Sequence, residues 1–169
     1  PAGSGIYMSV ILRPNCPAQD LMHLTCAAAV AMCDAVEAAC GIRPGIKWTN
    51  DLVFQKRKLG GILTELGFTS QGQLDYAIIG IGINCSTALF PEELMETAGA
   101  LTTGDIDYVD RNRLAVALRG RLLYWTEHLA DPLLLREYRN RSYLTGKEIM
   151  FERDHARYRG IVRDIDDTG

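Results

Sequence analysis

The segment from Leu74 to Asn84, LDYAIIGIGIN, constrains the fold most, because it is apolar at almost every position. A strand of that composition is typical of the covered centre of a sheet. We therefore predict a central strand that is covered on both faces. Gly80 and Gly82 are two positions apart and lie on the same face of it. Since glycine weakens a strand, this pair indicates that something approaches the backbone there.

Strand and helix patterns follow one another along the rest of the chain. The alanine-rich segment 18–40 has helical spacing and ends at Gly41, a common helix C-terminus. The polar turn QKRK between two apolar segments predicts a hairpin. Strands are predicted at 5–12, 46–49, 52–54, 61–68, 74–84, 147–152 and 158–164. Further helices are predicted at 110–129 and 131–142, and a short helix at 92–97 lies within the otherwise irregular segment 86–109.

The composition is that of a globular protein, with 169 residues, 47% hydrophobic and 23% charged. The length predicts one domain and a small second piece. A net charge of -3 argues against a nucleic-acid-binding face but leaves room for a local anion site. The sequence has neither a continuous apolar run of transmembrane length nor a signal-peptide pattern at its start, so we expect a cytoplasmic protein.

Five cysteines are present, and three of them are spaced by seven residues on the predicted helix 18–40. Cys26, Cys33 and Cys40 would be about 10 Å apart there. That separation is too large for a shared zinc ion or a disulfide. We interpret them as small apolar side chains in a reducing compartment. The three histidines show no metal-ligand spacing, and we assign no residue as a metal ligand.

Polar residues are concentrated in KWTND, residues 47–51, and KLGGIL, residues 58–63. Turn chemistry explains each motif taken alone, since Asn, Asp and Gly favour turns and bulges. GIGIN, residues 80–84, is also weak by itself, because it does not open a helix as the dinucleotide-binding GxGxxG turn does. The sequence contains no phosphate-binding GxxxxGK[ST] loop either.

The three motifs together, in this order, resemble the catalytic domain of biotin protein ligases, whose pattern is KWPND, then KL[AG]GILxE, then GxG[IL]N. The resemblance extends to both ends of the chain, GSGIYMSVILRP and GKEI…GIVRDIDDTG. It implies an α+β fold of the class II synthetase-like kind, in which helices pack on a mixed sheet. Residues 1–143 would form the catalytic domain without its N-terminal part, and 144–169 the beginning of a small SH3-like β-barrel.

The resemblance also implies chemistry. The family makes biotinyl-5′-AMP from biotin and ATP with Mg²⁺, then transfers biotin to one lysine of a biotin carboxyl carrier protein or domain. Two anions meet in the first step, so a fixed cation is needed. By resemblance Lys58 fills that position, with Lys47 as a secondary cation. Asp51 would orient a lysine, or help with the metal or the incoming amine.

Binding residues follow from the same motifs. Asn50 and Asn84 would offer their amides to the adenylate. Gly61, Gly80 and Gly82 would let the biotin ring lie against the backbone. The full set of binding positions that the resemblance implies is Asn50, Gly60, Gly61, Ile62, Leu63, Gly80, Gly82 and Asn84.

The chain departs from the family pattern at two places. Thr49 stands where the family usually has proline, and we expect a small effect. The family's arginine-rich loop and the Ser/Thr residues that contact biotin would precede Pro1, so this piece alone should be inactive. Homodimers are common in the family, and DNA binding would require a helix-turn-helix upstream.

Three other interpretations stay open. A lipoate–protein ligase has a related fold and similar acyl-adenylate chemistry, although KWTND and GIGIN fit it less well. A regulatory module that binds biotin without making the adenylate belongs to a different class. In a purely structural interpretation, the glycines and lysines serve only as turn residues.

Overall fold

A five-stranded sheet covered on one face by helices forms most of the protein. The computed structural model describes residues 3–86, 90–102 and 107–167. The strand order in the large sheet is β1-β5-β4-β3-β2, and β6 pairs with β7 in a separate two-stranded sheet. The strands are β1 Gly5–Leu12, β2 Gly45–Lys47, β3 Asp51–Phe54, β4 Arg57–Phe68, β5 Leu74–Asn84, β6 Glu148–Arg153 and β7 Ala156–Ile161, and the α-helices are α1 Leu24–Cys40, α2 Arg111–Glu127 and α3 Pro132–Asn140.

The α+β class is confirmed, but the expectation of a mixed sheet was wrong. All four strand pairs of the large sheet run antiparallel in the described residues. Three of the four pairs follow from the connections: β2 to β5 succeed one another through short turns, and a short turn can only join antiparallel neighbours.

Strand β5 is an inner strand of the sheet, between the edge strand β1 and the middle strand β4. One of its faces is covered, because Ala77, Ile79 and Ile81 are buried under the helices. The expectation that both faces are covered was wrong. Gly80 and Gly82 are only half-buried and lie together on the face that no described helix covers.

Helix α1 packs directly on the sheet, and α2 and α3 pack against α1. Its small side chains allow close approach; Thr25 donates a 2.9 Å hydrogen bond to Thr64 of β4. Gly41 ends the helix with a φ of 69°, in the left-handed region that favours glycine. Among the described residues, Ala18–Cys40 is long and apolar enough to cross a membrane, but 67% of its most apolar window is buried inside the protein. That burial is typical of a core helix.

Aspartates begin the other two helices, as predicted. Asp110 accepts hydrogen bonds from the backbone N–H groups of the next turn of α2, and Asp131 accepts one from Leu133 in α3. Such caps satisfy N–H groups that the helix itself cannot pair. The predicted helix at 92–97 is a short 3₁₀ turn, Glu92–Leu94; residues 87–89 and 103–106 of the irregular segment lie outside the described residues.

The cysteines are free thiols, and Cys26 and Cys33 are buried on α1. Burial raises the pKa of Cys26 to about 11 and that of Cys33 to about 12, because the apolar interior disfavours the thiolate. The interpretation as apolar side chains is confirmed for these two, whereas Cys40 is only half-buried.

Strands β6 and β7 form a hairpin whose Phe151 and Tyr158 rings stack across the strands at 5.5 Å. The segment after the hairpin lies beside α3: Arg139 donates a 2.7 Å hydrogen bond to the Ile165 carbonyl. The described residues contain only this two-stranded sheet after α3. The SH3-like barrel and the boundary at 143–144 therefore stay predictions.

Candidate functional site

One row of paired residues crosses all five strands of the large sheet. Tyr7 of β1 is opposite Gly82 of β5, which is opposite Gly61 of β4. Gly61 is in turn opposite Asp51 of β3, and Asp51 is opposite Lys47 of β2. Directly paired residues point to the same face of a sheet. The row therefore brings two glycines, a carboxylate, an ammonium and an aromatic ring to the face opposite the helices.

The glycines make an open floor on this face. Gly80 lies opposite Leu63 in the adjacent row, two positions along from Gly82. A methyl group on Gly80 or Gly82 would find its nearest neighbours at 3.6 and 3.7 Å, which is ordinary contact. The backbone there is thus open, and the approach of a ligand to this pair stays a prediction.

The Lys58 ammonium lies 2.6 Å from a carboxylate oxygen of Asp51. Gly61 leaves the room for this ion pair, because a methyl group at that position would lie only 3.2–3.3 Å from Lys58 Cε and Asp51 Oδ1. The Lys58 side chain remains 50% exposed and Asp51 24% exposed. The pair therefore faces solvent that a ligand can displace.

Backbone hydrogen bonds on both sides hold Lys58 in place. Its N–H donates to the Thr97 carbonyl at 2.7 Å, and its carbonyl accepts from Gly99 N–H at 2.9 Å. The Asn84 amide nitrogen donates to the Gly99 carbonyl at 3.0 Å. Asn84, at the end of β5, thereby fixes the segment that lies against Lys58. Its carbonyl oxygen and the second amide hydrogen remain for a ligand.

Asn50 has a similar double role beside β4. Its side-chain amide nitrogen donates to the Ile62 carbonyl at 2.8 Å, and its backbone carbonyl accepts from Ile62 N–H at 3.0 Å. The preceding Trp48–Thr49 peptide bond is cis, and the Tyr138 hydroxyl donates to the Thr49 carbonyl at 2.8 Å. The KWTND segment is thus tied to both β4 and α3.

Two adjoining clefts occupy this face, with volumes of about 680 and 440 Å³. The smaller one lies over the glycine floor and reaches Ser9, Leu63 and Gly80. The larger one extends past Val53 to Phe90 and Leu94. They share Tyr7, Asp51, Lys58, Gly61 and Gly82. An ammonium at such a junction can stabilise two anionic groups that approach each other from either side.

The structure places every residue that the sequence nominated on one or both clefts. Ile62 is the partial exception, because its side chain is buried toward α1 and only its backbone is available to a ligand. The larger cleft is lined by Lys47, Asp51, Lys58, Gly60, Gly61, Gly82 and Asn84, and the smaller one by Asn50, Asp51, Lys58, Gly61, Ile62, Leu63, Gly80 and Gly82.

Sequence reasoning missed several cleft residues. Tyr7 lines both clefts. The alternation of β1 could have identified it, because Tyr7 points to the other face of the strand from the buried Ile6. Lys56 belongs to the hairpin turn, and no motif pointed to it. Phe90, Pro91, Leu94, Thr97, Ala98 and Tyr143 also line the larger cleft.

An ion-pair network around one buried arginine supports the site from the helix layer. The Arg141 guanidinium, 9% exposed, donates to Asp34 at 2.8 Å and to Glu37 at 3.0 Å. The Arg141 carbonyl accepts a 2.7 Å hydrogen bond from Ile46 N–H in β2. The network thereby links α1 and the end of α3 to the strand that carries Lys47. No group of three or more His, Cys, Asp or Glu side chains suited to a metal ion occurs in the part of the chain that the structure describes.

Comparison with known sequences identifies related proteins. The sequence model of the biotin/lipoate A/B protein ligase family matches residues 1–84. The chain is 43% identical over 111 residues to the bifunctional ligase/repressor BirA of Bacillus spizizenii, covering 64% of this chain and 34% of that protein. It is 33% identical to the biotin–[acetyl-CoA-carboxylase] ligase of Mycobacterium tuberculosis, covering 99% of this chain and 63% of that protein.

Similar structures are also known. The apo biotin protein ligase of Aquifex aeolicus superimposes with a TM-score of 0.81 at 25% identity, covering 98% of this chain and 73% of that one. The same enzyme in complex with biotin and ATP gives a TM-score of 0.80 at 23% identity, over 96% of this chain and 68% of that one. The second likeness shows the shared fold.

The extent of the matches also matters. The chain spans about a third of the Bacillus relative and under two thirds of the mycobacterial one. The biotin–[acetyl-CoA-carboxylase] ligase of Paracoccus denitrificans is 31% identical over 180 residues, and the alignment covers all of this chain and 73% of that protein. With this coverage and identity, the chain belongs to the biotin protein ligase family.

Proposed function

We propose that the protein carrying this chain is an ATP-dependent ligase that attaches biotin to a biotin carboxyl carrier protein or domain. The observation that carries the proposal is the meeting of two clefts at the Lys58–Asp51 ion pair. Further support comes from the related Aquifex enzyme, whose structure contains biotin and ATP. The glycine floor leaves room for the fused ring system of biotin, and the larger cleft, with its lysines and apolar wall, suits a nucleotide.

In the first step, a carboxylate oxygen of biotin attacks the α-phosphorus of ATP. The bond from that phosphorus to the oxygen bridging to the β-phosphate breaks, and pyrophosphate leaves. Both reacting groups are anions, and negative charge increases at the α-phosphate in the transition state. Lys58 lies between the clefts and would stabilise that charge, while Asp51 would hold its ammonium in position.

In the second step, the amine of a carrier lysine attacks the acyl carbon of biotinyl-5′-AMP. The bond from that carbon to the AMP oxygen breaks, AMP leaves, and the proton released by the amine passes through the Asp51 carboxylate to solvent. Asp51 lines both clefts and is the acidic residue that the described lining offers near the acyl group. Mg²⁺ would enter on the phosphates of ATP and neutralise part of their charge.

The proposal also bears on the C-terminal hairpin, the cellular location and the oligomeric state of the protein. The β6–β7 hairpin supports the interpretation of residues 144–169 as the beginning of an SH3-like barrel. A cytoplasmic location fits an enzyme that uses ATP and carries free thiols. A homodimer remains an expectation from the family resemblance, and the proposal covers the ligase reaction alone.

Carrier mass is the measurement that tests this function. The full-length protein is incubated with biotin, MgATP and a biotin carrier domain, and a parallel reaction contains lipoate in place of biotin. We expect the carrier to gain the mass of one biotin. A gain only with lipoate would make the protein a lipoate–protein ligase. Tight biotin binding without AMP formation would indicate a non-catalytic biotin sensor.

A further inference from the structure

Lys56 is a cation on the larger cleft, and it belongs to none of the motifs KWTND, KLGGIL and GIGIN. It lies in the hairpin turn between β3 and β4 and lines the cleft together with Lys47 and Lys58. Asp51 is the acidic residue in the described lining of that cleft, and it is already paired with Lys58. Among the described residues, neither Lys47 nor Lys56 forms an ion pair. Within the described part of the chain, the cleft therefore has two positive charges without an ion-pair partner.

The turn that carries Lys56 is chemically unusual. Phe54 pairs with Arg57, so Gln55 and Lys56 form a two-residue hairpin loop. Their φ values are 48° and 67°, in the left-handed region. Turns of this kind strongly favour Asn-Gly, because other side chains are strained there. A residue that opposes its local backbone preference is a candidate for a functional role.

The position of Lys56 relative to Lys58 indicates what it binds. Lys58 marks the junction of the clefts, where the α-phosphate would react. Lys56 lines only the larger cleft and does not reach the smaller cleft that contains Gly80. Phe90 and Leu94 contribute an apolar wall to the same cleft, which suits a base better than a phosphate. The unpaired ammonium groups thus suit the charged end of the nucleotide.

We propose that Lys56, with Lys47, binds the β- and γ-phosphates of ATP and the pyrophosphate that leaves. This inference rests on the proposed ligase function. Lys56 keeps its proton throughout and takes no part in bond making. Its ammonium offsets the negative charge that stays on the pyrophosphate when the bond to the α-phosphorus breaks.

Substitutions at Lys56 in the full-length protein test the inference. Lys56→Asn removes the charge with a residue that tolerates the left-handed region, so folding should be preserved. Lys56→Arg keeps the charge. Arg119→Ala, on the exposed side of α2 and outside both clefts, removes a positive charge elsewhere. Initial rates of carrier biotinylation give KM for ATP and for biotin, and added pyrophosphate gives its inhibition constant.

For Lys56→Asn we expect KM for ATP and the inhibition constant of pyrophosphate each to rise by about five- to tenfold. KM for biotin should change by less than about twofold, because that ligand lies in the other cleft. Lys56→Arg should restore most of both values, and Arg119→Ala should match the wild type.

Several results would overturn the inference. Unchanged constants for ATP and pyrophosphate would show that Lys56 does not contact phosphate. A raised KM for ATP with unchanged pyrophosphate inhibition would place Lys56 at the nucleoside. An equal rise in KM for biotin would indicate a general disturbance of the fold. If the wild-type protein transfers no biotin at all, the proposed function itself fails; an active wild type with an unaffected variant defeats this inference alone.

Discussion

The ammonium nitrogen of Lys58 lies 2.6 Å from a carboxylate oxygen of Asp51 where the two clefts meet. The pair joins the first part of β4 to the first residue of β3, above the space that Gly61 leaves. Partly exposed ion pairs contribute little to folding stability, typically about 0–1 kcal/mol. Substitutions in this pair therefore test the chemistry of the site with little interference from unfolding.

Lys58→Ala should lower the rate of biotinyl-5′-AMP formation by roughly 10²–10³, the usual effect of losing one preorganised stabilising group. Single-turnover formation of the adenylate measures it. The free energy of unfolding should change by less than about 1 kcal/mol. An adenylation rate within about threefold of the wild type, in a folded variant, would remove Lys58 from the reaction.

Asp51→Asn tests whether Asp51 acts through Lys58. Alone, the substitution should slow adenylation by roughly tenfold, because the neutral amide holds the ammonium less firmly. In a Lys58→Ala background it should add less than about a threefold effect, since residues that act as a unit are not additive. Fully multiplicative losses would mean that Asp51 contributes to adenylation by a separate route.

Two glycines of the sheet, Gly80 in β5 and Gly60 in β4, predict different effects of an alanine substitution. Gly80→Ala should fold normally, since its methyl group makes only ordinary contacts, but it should raise KM for biotin by roughly tenfold by occupying the floor. Gly60→Ala should destabilise the protein by roughly 1–3 kcal/mol, because its methyl group would press on the Gly82 carbonyl in the adjacent strand. Thermal unfolding and biotin titration measure the two effects.

A control for these glycines lies in helix α2. Gly120 is exposed, and a methyl group there meets nothing within 4 Å. Gly120→Ala should raise the free energy of unfolding by about 0.5–1 kcal/mol, since alanine favours the helix, and leave biotin binding unchanged. A change in biotin affinity in this variant would mean that alanine substitutions act on the site through overall stability.

Arg141→Ala should destabilise the protein by roughly 3 kcal/mol, because it leaves the Asp34 and Glu37 carboxylates without their buried cation. Urea unfolding measures this loss. Arg113→Ala is a matched control, since that exposed guanidinium has only a 3.4 Å hydrogen bond to the Ala38 carbonyl, and it should change stability by less than about 0.5 kcal/mol. Equal losses for the two variants would contradict the importance of the Arg141 network.

The buried thiols predict a loss of stability in alkali. Burial raises the pKa of Cys26 to about 11 and of Cys33 to about 12, above the ordinary value of 9.0. The native state therefore binds these protons more tightly than the unfolded state. The stabilising contribution of the protonated thiols is fully present below about pH 9. Above that pH, the free energy of unfolding falls by up to about 1.4 kcal/mol per pH unit for each thiol. Urea unfolding from pH 8 to 10.5 measures the slope, and Cys33→Ala should make it shallower.

Local pattern was enough to predict most of the elements. The strand at 5–12, the helix starts at 110 and 131, and Gly41 after α1 each depend on interactions within a few residues, so they were found without tertiary information. The covering of the two faces of β5 could not be predicted from local pattern. Its apolar residues on one side and glycines on the other left the covering of each face to the arrangement of the helices, and the prediction of two covered faces was wrong.

The candidate site divides in the same way. KWTND, KLGGIL and GIGIN identified residues that line the clefts, because their polar and glycine residues are unusual beside apolar strands. Lys56 and Tyr7 were missed, because one was hidden in a hairpin turn and the other in an ordinary alternating strand.

The sequence by itself determined which segments become strands and helices and which motifs carry the polar chemistry. Only the tertiary structure decided that Tyr7, Gly82, Gly61, Asp51 and Lys47 form one row across five strands. Register between strands depends on pairing and on burial of one face against the helices. A shift of one residue in any strand would turn its member of the row toward α1, and no local pattern specifies that alignment.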